Sequence, residues 1–189
     1  VNTSVCDAYV SEVLRFRKAL NLTSVSDHDE FVRRFISPSL ALLKWMPEHG
    51  RVLDIGSGMG VPGMPLLLAN RGLYGLLVER RKKRAEFLRH IVRSLDLNAE
   101  VFDADINHLP CLSADVCVAR AVSDERVLLN MCTGHARDSA IAVLPVPVVS
   151  RAVSVNGWNS FDESLVDING TPQLIRCYRY EAGRVSRET

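Results

Sequence analysis

The sequence predicts a doubly wound α/β fold with a mostly parallel sheet, carrying a helical extension at its N-terminus. Three observations support this. Short apolar runs recur at Val52-Leu53-Asp54-Ile55, Gly75-Leu76-Leu77-Val78 and Val116-Cys117-Val118-Ala119, the pattern of strands buried on both faces. Helical stretches separate them, the strongest over residues 80–95, with Ala85, Leu88, Ile91, Val92 and Leu95 on one side. The first run leads directly into a glycine-rich loop, where such a sheet binds its ligand.

A chain of 189 residues is long enough for one domain with a real core and short for two. One domain is therefore expected over 1–189, with a helical part over 1–48 and the α/β core over 50–180. Within the helical part, residues 9–20 set Val10, Val13, Leu14 and Phe16 among Glu12, Arg15, Arg17 and Lys18, an amphipathic pattern. A second helix is expected to start near Asp27 or Asp29, whose carboxylates suit an N-cap ahead of Phe31, Val32, Phe35 and Ile36. Pro38 is expected to kink or restart it. After the first strand, Pro62 suits the first turn of a helix running to Asn70. Residues 99–102, 116–119 and 140–144 read as further strands alternating with helices. Residues 173–180 read as a last, antiparallel strand, and 181–189 as a frayed tail.

Five cysteines, odd in number and without a C-x-x-C pair, suggest neither a disulfide framework nor a zinc site. Free thiols in a reducing compartment are expected, and the five histidines show no ligand spacing, so no metal is expected. No apolar stretch approaches the ~18 residues needed to span a membrane, and the N-terminus carries no signal-peptide pattern. A cytoplasmic protein with no membrane partner is the expectation. The net charge of +1 does not by itself demand a nucleic-acid partner, so the distribution of charge has to be read instead.

The chemistry is expected in residues 54–63, Asp54-Ile-Gly56-Ser57-Gly58-Met-Gly60-Val61-Pro-Gly63. Glycines this dense let the backbone take positive φ and approach a ligand closely. Gly58, Gly60 and Gly63 also match the G-x-G-x-x-G of dinucleotide sites, which alone is a weak signal. Asp54 argues against that reading, because a carboxylate at the mouth of the loop would repel a pyrophosphate. The same carboxylate attracts the ammonium of S-adenosylmethionine, directly or through water. Counting from Gly56 gives G-x-G-x-G, the spacing of Rossmann-like class I methyltransferases, and no G-K-[ST] follows to make a P-loop. Glu79, at the end of the second strand, is expected to accept from the ribose hydroxyls. Asp105, Ile106 and Asn107, after the third strand, are expected to flank adenine.

Several segments together resemble the glucose-inhibited division protein B family, bacterial methyltransferases of guanine N7 in small-subunit (16S) ribosomal RNA. They are Asn21-Leu-Thr-Ser-Val25, Arg34-x5-Leu40, residues 53–63, Lys83-Arg84-x-x-Phe87-Leu88 and Arg120-Ala121. The resemblance covers roughly residues 10 to 125, and its Val61-Pro62-Gly63 ending sets it apart from most methyltransferases. It implies S-adenosylmethionine as cofactor and 16S ribosomal RNA in the small ribosomal subunit as partner; a monomer is the expectation. It also implies cofactor contacts at Gly56, Val61, Ile106, Asn107 and Arg120. Arg120 directly follows the strand at 116–119, at the sheet edge of the loop, where it can position cofactor or substrate or contact RNA phosphate.

The chain departs from the family in two places. Arg34-Phe-Ile-Ser-Pro38-Ser-Leu40 replaces the usual Arg-His-x-x-Asp-Ser-Leu, and Leu144-Pro-Val replaces Leu-Lys-Gly. RNA contact is expected at Arg33 and Arg34 and at the run Arg80, Arg81, Lys82, Lys83 and Arg84. Other readings are methylation of a different substrate, a binding module without catalysis, and, more remotely, a dehydrogenase.

Overall fold

The apolar runs find one another in register. In a computed structural model, describing residues 3–120, 124–155 and 157–183, β1 (Gly50–Ile55) lies between β2 (Leu73–Val78) and β4 (Ala114–Ala119), parallel to both. Strand β3 (Ala99–Phe102) extends the β2 side, and β5 (Ala136–Val146) the β4 side, again in parallel. The full order is β3-β2-β1-β4-β5-β7-β6. The chain steps outward from β1 to β3 and then returns to β4, so the direction of winding reverses between β1 and β4. That reversal opens a crevice at the carboxyl ends of the strands, the place where doubly wound sheets bind ligands.

Beyond β5 the expected alternation of strand and helix does not hold. No helix is described over residues 147–155; the chain instead forms β6 (Trp158–Ile168), which turns directly into β7 (Thr171–Tyr180). Strand β7 is antiparallel to both neighbours, as expected. The turn is Asn169-Gly170, with φ of 55° and 80°, the two positive values that a tight hairpin turn requires. With no helix over it, β6 leaves Phe161 and Leu165 45% and 61% exposed.

The helices follow from local chemistry with small changes of boundary. Helix α1 (Asp7–Phe16) stops four residues before the expected end, where the Leu22 N–H returns to the Arg17 carbonyl and Asn21 takes φ of 50°. The Asp27 carboxylate caps α2 (His28–Phe31), accepting from the Glu30 N–H at 2.8 Å. Helical chain continues through a wide π-type turn (Val32–Ile36) into α3 (Ser37–Leu40) and a 3-10 turn (Ala41–Trp45). Pro38 sits in the first turn of α3, where its missing N–H costs little. Helices α4 (Gly63–Ala69) and α5 (Lys82–Ser94) follow β1 and β2. Helix α6 (Glu125–Thr133) is capped by Asp124 on the Val127 N–H.

Each face of the sheet has its own core. On one face Tyr9, Val13, Met64, Leu67 and Leu88 pack together, joining α1, α4 and α5 in one apolar cluster. On the other, Leu53, Leu76, Leu129 and Trp158 join the sheet to α6. Burying a leucine or aromatic side chain contributes about 1.5–3 kcal/mol. The N-terminal helices therefore hold the loop side of the sheet firmly. The buried face of α5 includes Phe87, with Val92 and Leu95 only half-buried. Ala121, the second residue of the Arg120-Ala121 pair, lies outside the described residues, as do residues 184–189 of the tail.

Candidate functional site

The loop after β1 takes the geometry its glycines allow. Gly56, Gly58 and Gly60 have φ of 71°, 60° and 107°, which any residue with a Cβ adopts only at a cost. Gly63 does not share this conformation. A Cβ there would lie 2.7 Å from Asp54 Oδ2 and 2.8 Å from Leu77, so glycine is required by packing at the start of α4. The left-handed glycines are thus spaced G-x-G-x-G, and Gly63 serves the packing of α4 against the strands. A Cβ at Gly60 would meet Met64 at 2.5 Å, whereas one at Gly58 would meet nothing nearer than the Gly56 carbonyl at 3.7 Å. Gly56 and Gly58 therefore form the open lip of the loop, and Met59 to Gly63 its buried root.

Asp54 stands beneath that root. Its side chain is fully buried, and Oδ2 accepts from the Gly63 N–H at 3.0 Å, tying the end of β1 to the first residue of α4. The other carboxylate oxygen, Oδ1, is buried and has no protein partner. Burial is the main cause of a pKa pushed up to about 7; the Gly63 N–H opposes it and the nearby Glu79 charge adds to it. The expectation of a carboxylate lying open at the loop mouth is corrected: it is an internal brace with one oxygen unpaired. Ser57 is likewise internal, its hydroxyl donating to the Asp54 carbonyl at 2.9 Å and its N–H to the Val78 carbonyl at 3.0 Å. Tyr9, from α1, donates to the Met59 carbonyl at 2.9 Å and fixes the loop from below. Val61 is buried in the same root.

Two hollows open at this sheet edge. The first, of about 370 Å³, lies over the ends of β1, β2 and β3, with Gly56, Glu79, Asp105 and Ile106 in its wall. Glu79 is expected there, but both its oxygens are already engaged, accepting from the Gly58 N–H at 3.0 Å and the Arg81 N–H at 2.7 Å. A carboxylate oxygen has more than one lone pair, so these bonds orient Glu79 and leave it able to accept further. Asp105 caps the short turn Ile106–His108, accepting from the backbone and side-chain nitrogens of Asn107 at 3.0 and 2.9 Å. The backbone N–H of Asn107 is the main cause holding the Asp105 carboxyl below its usual range. Asn107 is exposed and does not reach the hollow, contrary to expectation, because its side chain folds back on Asp105. Ile106 is held from behind by buried His135, whose Nε2 lies 3.1 Å from the Ile106 carbonyl.

The second hollow, of about 250 Å³, lies over β4 and β5, with Arg33, Arg34, Pro62, Arg120 and Gln173 among its walls. Arg120 stacks on the Phe35 ring at 4.7 Å and donates from Nη2 to the Arg34 carbonyl at 2.8 Å. Burial, followed by the charge of Arg34, lowers its pKa, yet guanidinium stays ionised at neutral pH. Its Nη1 is buried without a partner. Arg120 therefore sits apart from Glu79 and Asp105, across the switch point.

The basic run does not form one surface. Arg80, Arg81 and Arg84 line the first hollow, and Arg84 is tied to the Asn21 carbonyl. Lys82 and Lys83 border a separate groove beside Phe16, Phe87 and His90. Arg34 pairs with Glu30 at 3.0 Å. Among the described residues no cluster of His, Cys, Asp and Glu suits a metal, and no helix is long and apolar enough to cross a membrane. The Tyr9 brace, the Phe35 platform and the β6–β7 wall of the second hollow went unread in the sequence. Only Asn169-Gly170 carried a signal, being a strong hairpin dipeptide.

A family model described as GidB, rRNA small subunit methyltransferase G, matches residues 2–144. A ribosomal RNA small subunit methyltransferase G of Xylella fastidiosa (strain M23) is 41% identical over 162 residues, covering 77% of this chain and 76% of its own. The one from Roseiflexus castenholzii is 39% identical over 131 residues, 65% of this chain. This chain spans about half the length of that relative, 55%. Among solved structures, the putative methyltransferase yhhF from Escherichia coli superposes with a TM-score of 0.62 at 17% identity, covering 76% of this chain and 85% of its own. M. jannaschii TYW2, in complex with AdoMet, does so at 0.61 and 15%, covering 77% and 75%. At these identities the likeness is one of fold.

Proposed function

This chain belongs to the rRNA small subunit methyltransferase G family, and on that footing we propose that it transfers a methyl group from S-adenosylmethionine to N7 of a guanine in 16S ribosomal RNA. The observation that carries the reading is the loop itself: three left-handed glycines at G-x-G-x-G spacing above a buried aspartate with one unpaired oxygen. That oxygen is an acceptor suited to the ammonium of the cofactor, directly or through one water. Arg120, bringing only donors, suits the carboxylate of the cofactor or an oxygen of the substrate. Exposed Gly56 and half-buried Gly58, at which a Cβ would meet nothing nearer than the Gly56 carbonyl at 3.7 Å, form the lip against which the cofactor's sugar would pass. The first hollow suits adenosine, with Glu79 meeting the ribose and Ile106 lying against the base.

The cofactor supplies a methyl group on a sulfonium sulfur, and the electron pair of the breaking C–S bond leaves with sulfur as the N7–C bond forms. Guanine N7 carries a lone pair and no proton, so the chain needs no general base. Its contribution is to hold nucleophile, methyl carbon and sulfur in line. The Gly63–Asp54 bond, the Tyr9 brace and the Glu79–Gly58 bond fix the loop that sets this alignment.

We take residues 1–189 as one domain, since α1 and the core share an apolar cluster. In this reading the protein acts in the cytoplasm, as a monomer. Small ribosomal subunits are its partner, with Arg33, Arg34 and the run 80–84 near RNA phosphate. Incubation with labelled S-adenosylmethionine and small subunits lacking the modification should place label in the RNA. Label on protein alone, or none with cofactor bound, would overturn the reading.

A further inference from the structure

We propose that the second hollow receives the target guanosine turned out of its RNA strand, and that Gln173 selects guanine over adenine there. The inference rests on the function proposed above and adds a substrate site to it. Base-modifying enzymes act on single strands or turn the target base out into a pocket. The deep, narrow major groove of an RNA helix shields N7, and unstacked bases in loops are the usual targets of sequence-specific RNA recognition. The hollow begins where the loop ends, at Pro62, and lies over the ends of β4 and β5, beside the first hollow and on the same sheet edge. Its apolar walls are Pro38, Leu42, Pro62, Pro145 and Ile168, surfaces for the faces of an aromatic base. Exposed Arg33 stands in its wall, and among the described residues its guanidinium has no side-chain partner, which leaves it for the phosphate.

Gln173 provides the selectivity. Its amide nitrogen donates to the carbonyls of Val146 and Leu174, both at 3.2 Å, which fixes which end of the amide is which. Among the described residues its carbonyl oxygen accepts nothing, so the side chain offers a pure acceptor. Guanine presents donors at N1 and N2; adenine presents an acceptor at N1. Arg120, in the same hollow, brings only donors, matching guanine O6 and opposing the amino group of adenine. Holding this edge leaves N7 free. Ile168, Thr171 and Gln173 lie beyond residues 2–144, so this wall belongs to the hairpin of this chain rather than to the matched family region.

The test is titration of the full chain with guanosine and adenosine 5′-monophosphates, followed by NMR. The guanine nucleotide should bind at least about tenfold more tightly, as for a site built around hydrogen bonds that the analogue cannot make. Gln173→Leu should reduce that preference to about twofold without changing S-adenosylmethionine binding. Arg33→Ala should weaken both nucleotides equally. Equal binding of the two nucleotides, or a preference untouched by Gln173→Leu, overturns the proposal. Should Gln173→Leu not fold, Thr171→Trp at the exposed lip must abolish nucleotide binding, and unchanged binding overturns the proposal. Methyl transfer to small subunits is run in parallel. Transfer without selective nucleotide binding sinks the pocket and leaves the function standing; selective binding without transfer does the reverse.

Discussion

Replacing Asp54 with asparagine separates the structural from the chemical work of this residue. The carboxyl has an ordinary pKa of 3.8 and is pushed up to about 7 by burial. That difference corresponds to about 4 kcal/mol favouring the protonated form in the fold, an upper bound once relaxation is allowed. The folded chain binds this proton more tightly than the unfolded chain does. The group's contribution to stability therefore falls as pH rises from about 4 to about 7, and the full penalty is present above 7. Asparagine is neutral throughout and keeps a carbonyl oxygen for the Gly63 N–H. Asp54→Asn should therefore be more stable than the parent at pH 8, by about 1–3 kcal/mol, and no more stable at pH 4. Cofactor binding should behave in the opposite way. If the ionised carboxylate meets the ammonium, the parent's affinity should rise with pH up to about 7, approaching tenfold per unit at the acid end. The variant should bind weakly and with no pH dependence. Urea denaturation and equilibrium dialysis at pH 5.5, 6.5 and 7.5, with denaturation repeated at 4 and 8, measure both. A parent affinity that is flat over this range, with a variant less stable at pH 8, would refute the linkage between Asp54 and the cofactor.

Four further outcomes follow from the same geometry. Tyr9→Phe removes the bond to the Met59 carbonyl; denaturation should show a loss of about 1–3 kcal/mol for the buried carbonyl left unpaired, and dialysis a weaker cofactor. Gly58→Ala and Gly60→Ala should differ. The first costs about 1–2 kcal/mol for its left-handed backbone and blocks cofactor binding, whereas the second also clashes with Met64 and should cost more in a thermal melt. Arg176 is buried among Glu125, Glu163 and Ser150, with Tyr178 also donating to Glu125. Arg176→Met should cost about 3–5 kcal/mol, because Glu125 is left buried with its ion-pair partner gone, and adding Glu125→Gln should recover part of that loss. RNA affinity measured by filter binding should fall steeply with salt, by about tenfold or more between 50 and 200 mM. A flat dependence would remove phosphate contact from the account.

Strands β1, β2 and β4 and the second half of β5 were legible because their runs are largely apolar and buried on both faces, and β3 because it follows a helix of clear period. The loop was legible because few chains place Asp54 and these glycines together without a ligand to bind. Strand β6 was not, since Asn159 to Ile168 alternates weakly and carries polar residues on both faces; Asn169-Gly170 was the available clue. Glu79 lies in the wall of the first hollow while Asn107 folds back on Asp105, and the hydrogen bonds that decide this depend on backbone positions that sequence spacing does not supply. The basic run 80–84 shows the limit of reading charge along a chain. At the entry to α5, successive residues point in different directions, so Arg84 and Lys83 face different hollows. Arg120 was placed at the right sheet edge, while its support depends on a helical segment far earlier in the chain, where the Arg34 carbonyl that accepts from it lies 86 residues away.

The most direct test of the central claim is the identity of the methylated atom. Small-subunit RNA is reacted with the protein and S-adenosylmethionine, then treated with borohydride and aniline, which cleave a strand at 7-methylguanosine. The account predicts cleavage at one guanosine, dependent on cofactor and abolished by Gly58→Ala. Methyl incorporation without cleavage would place the methyl group on another atom and contradict the account.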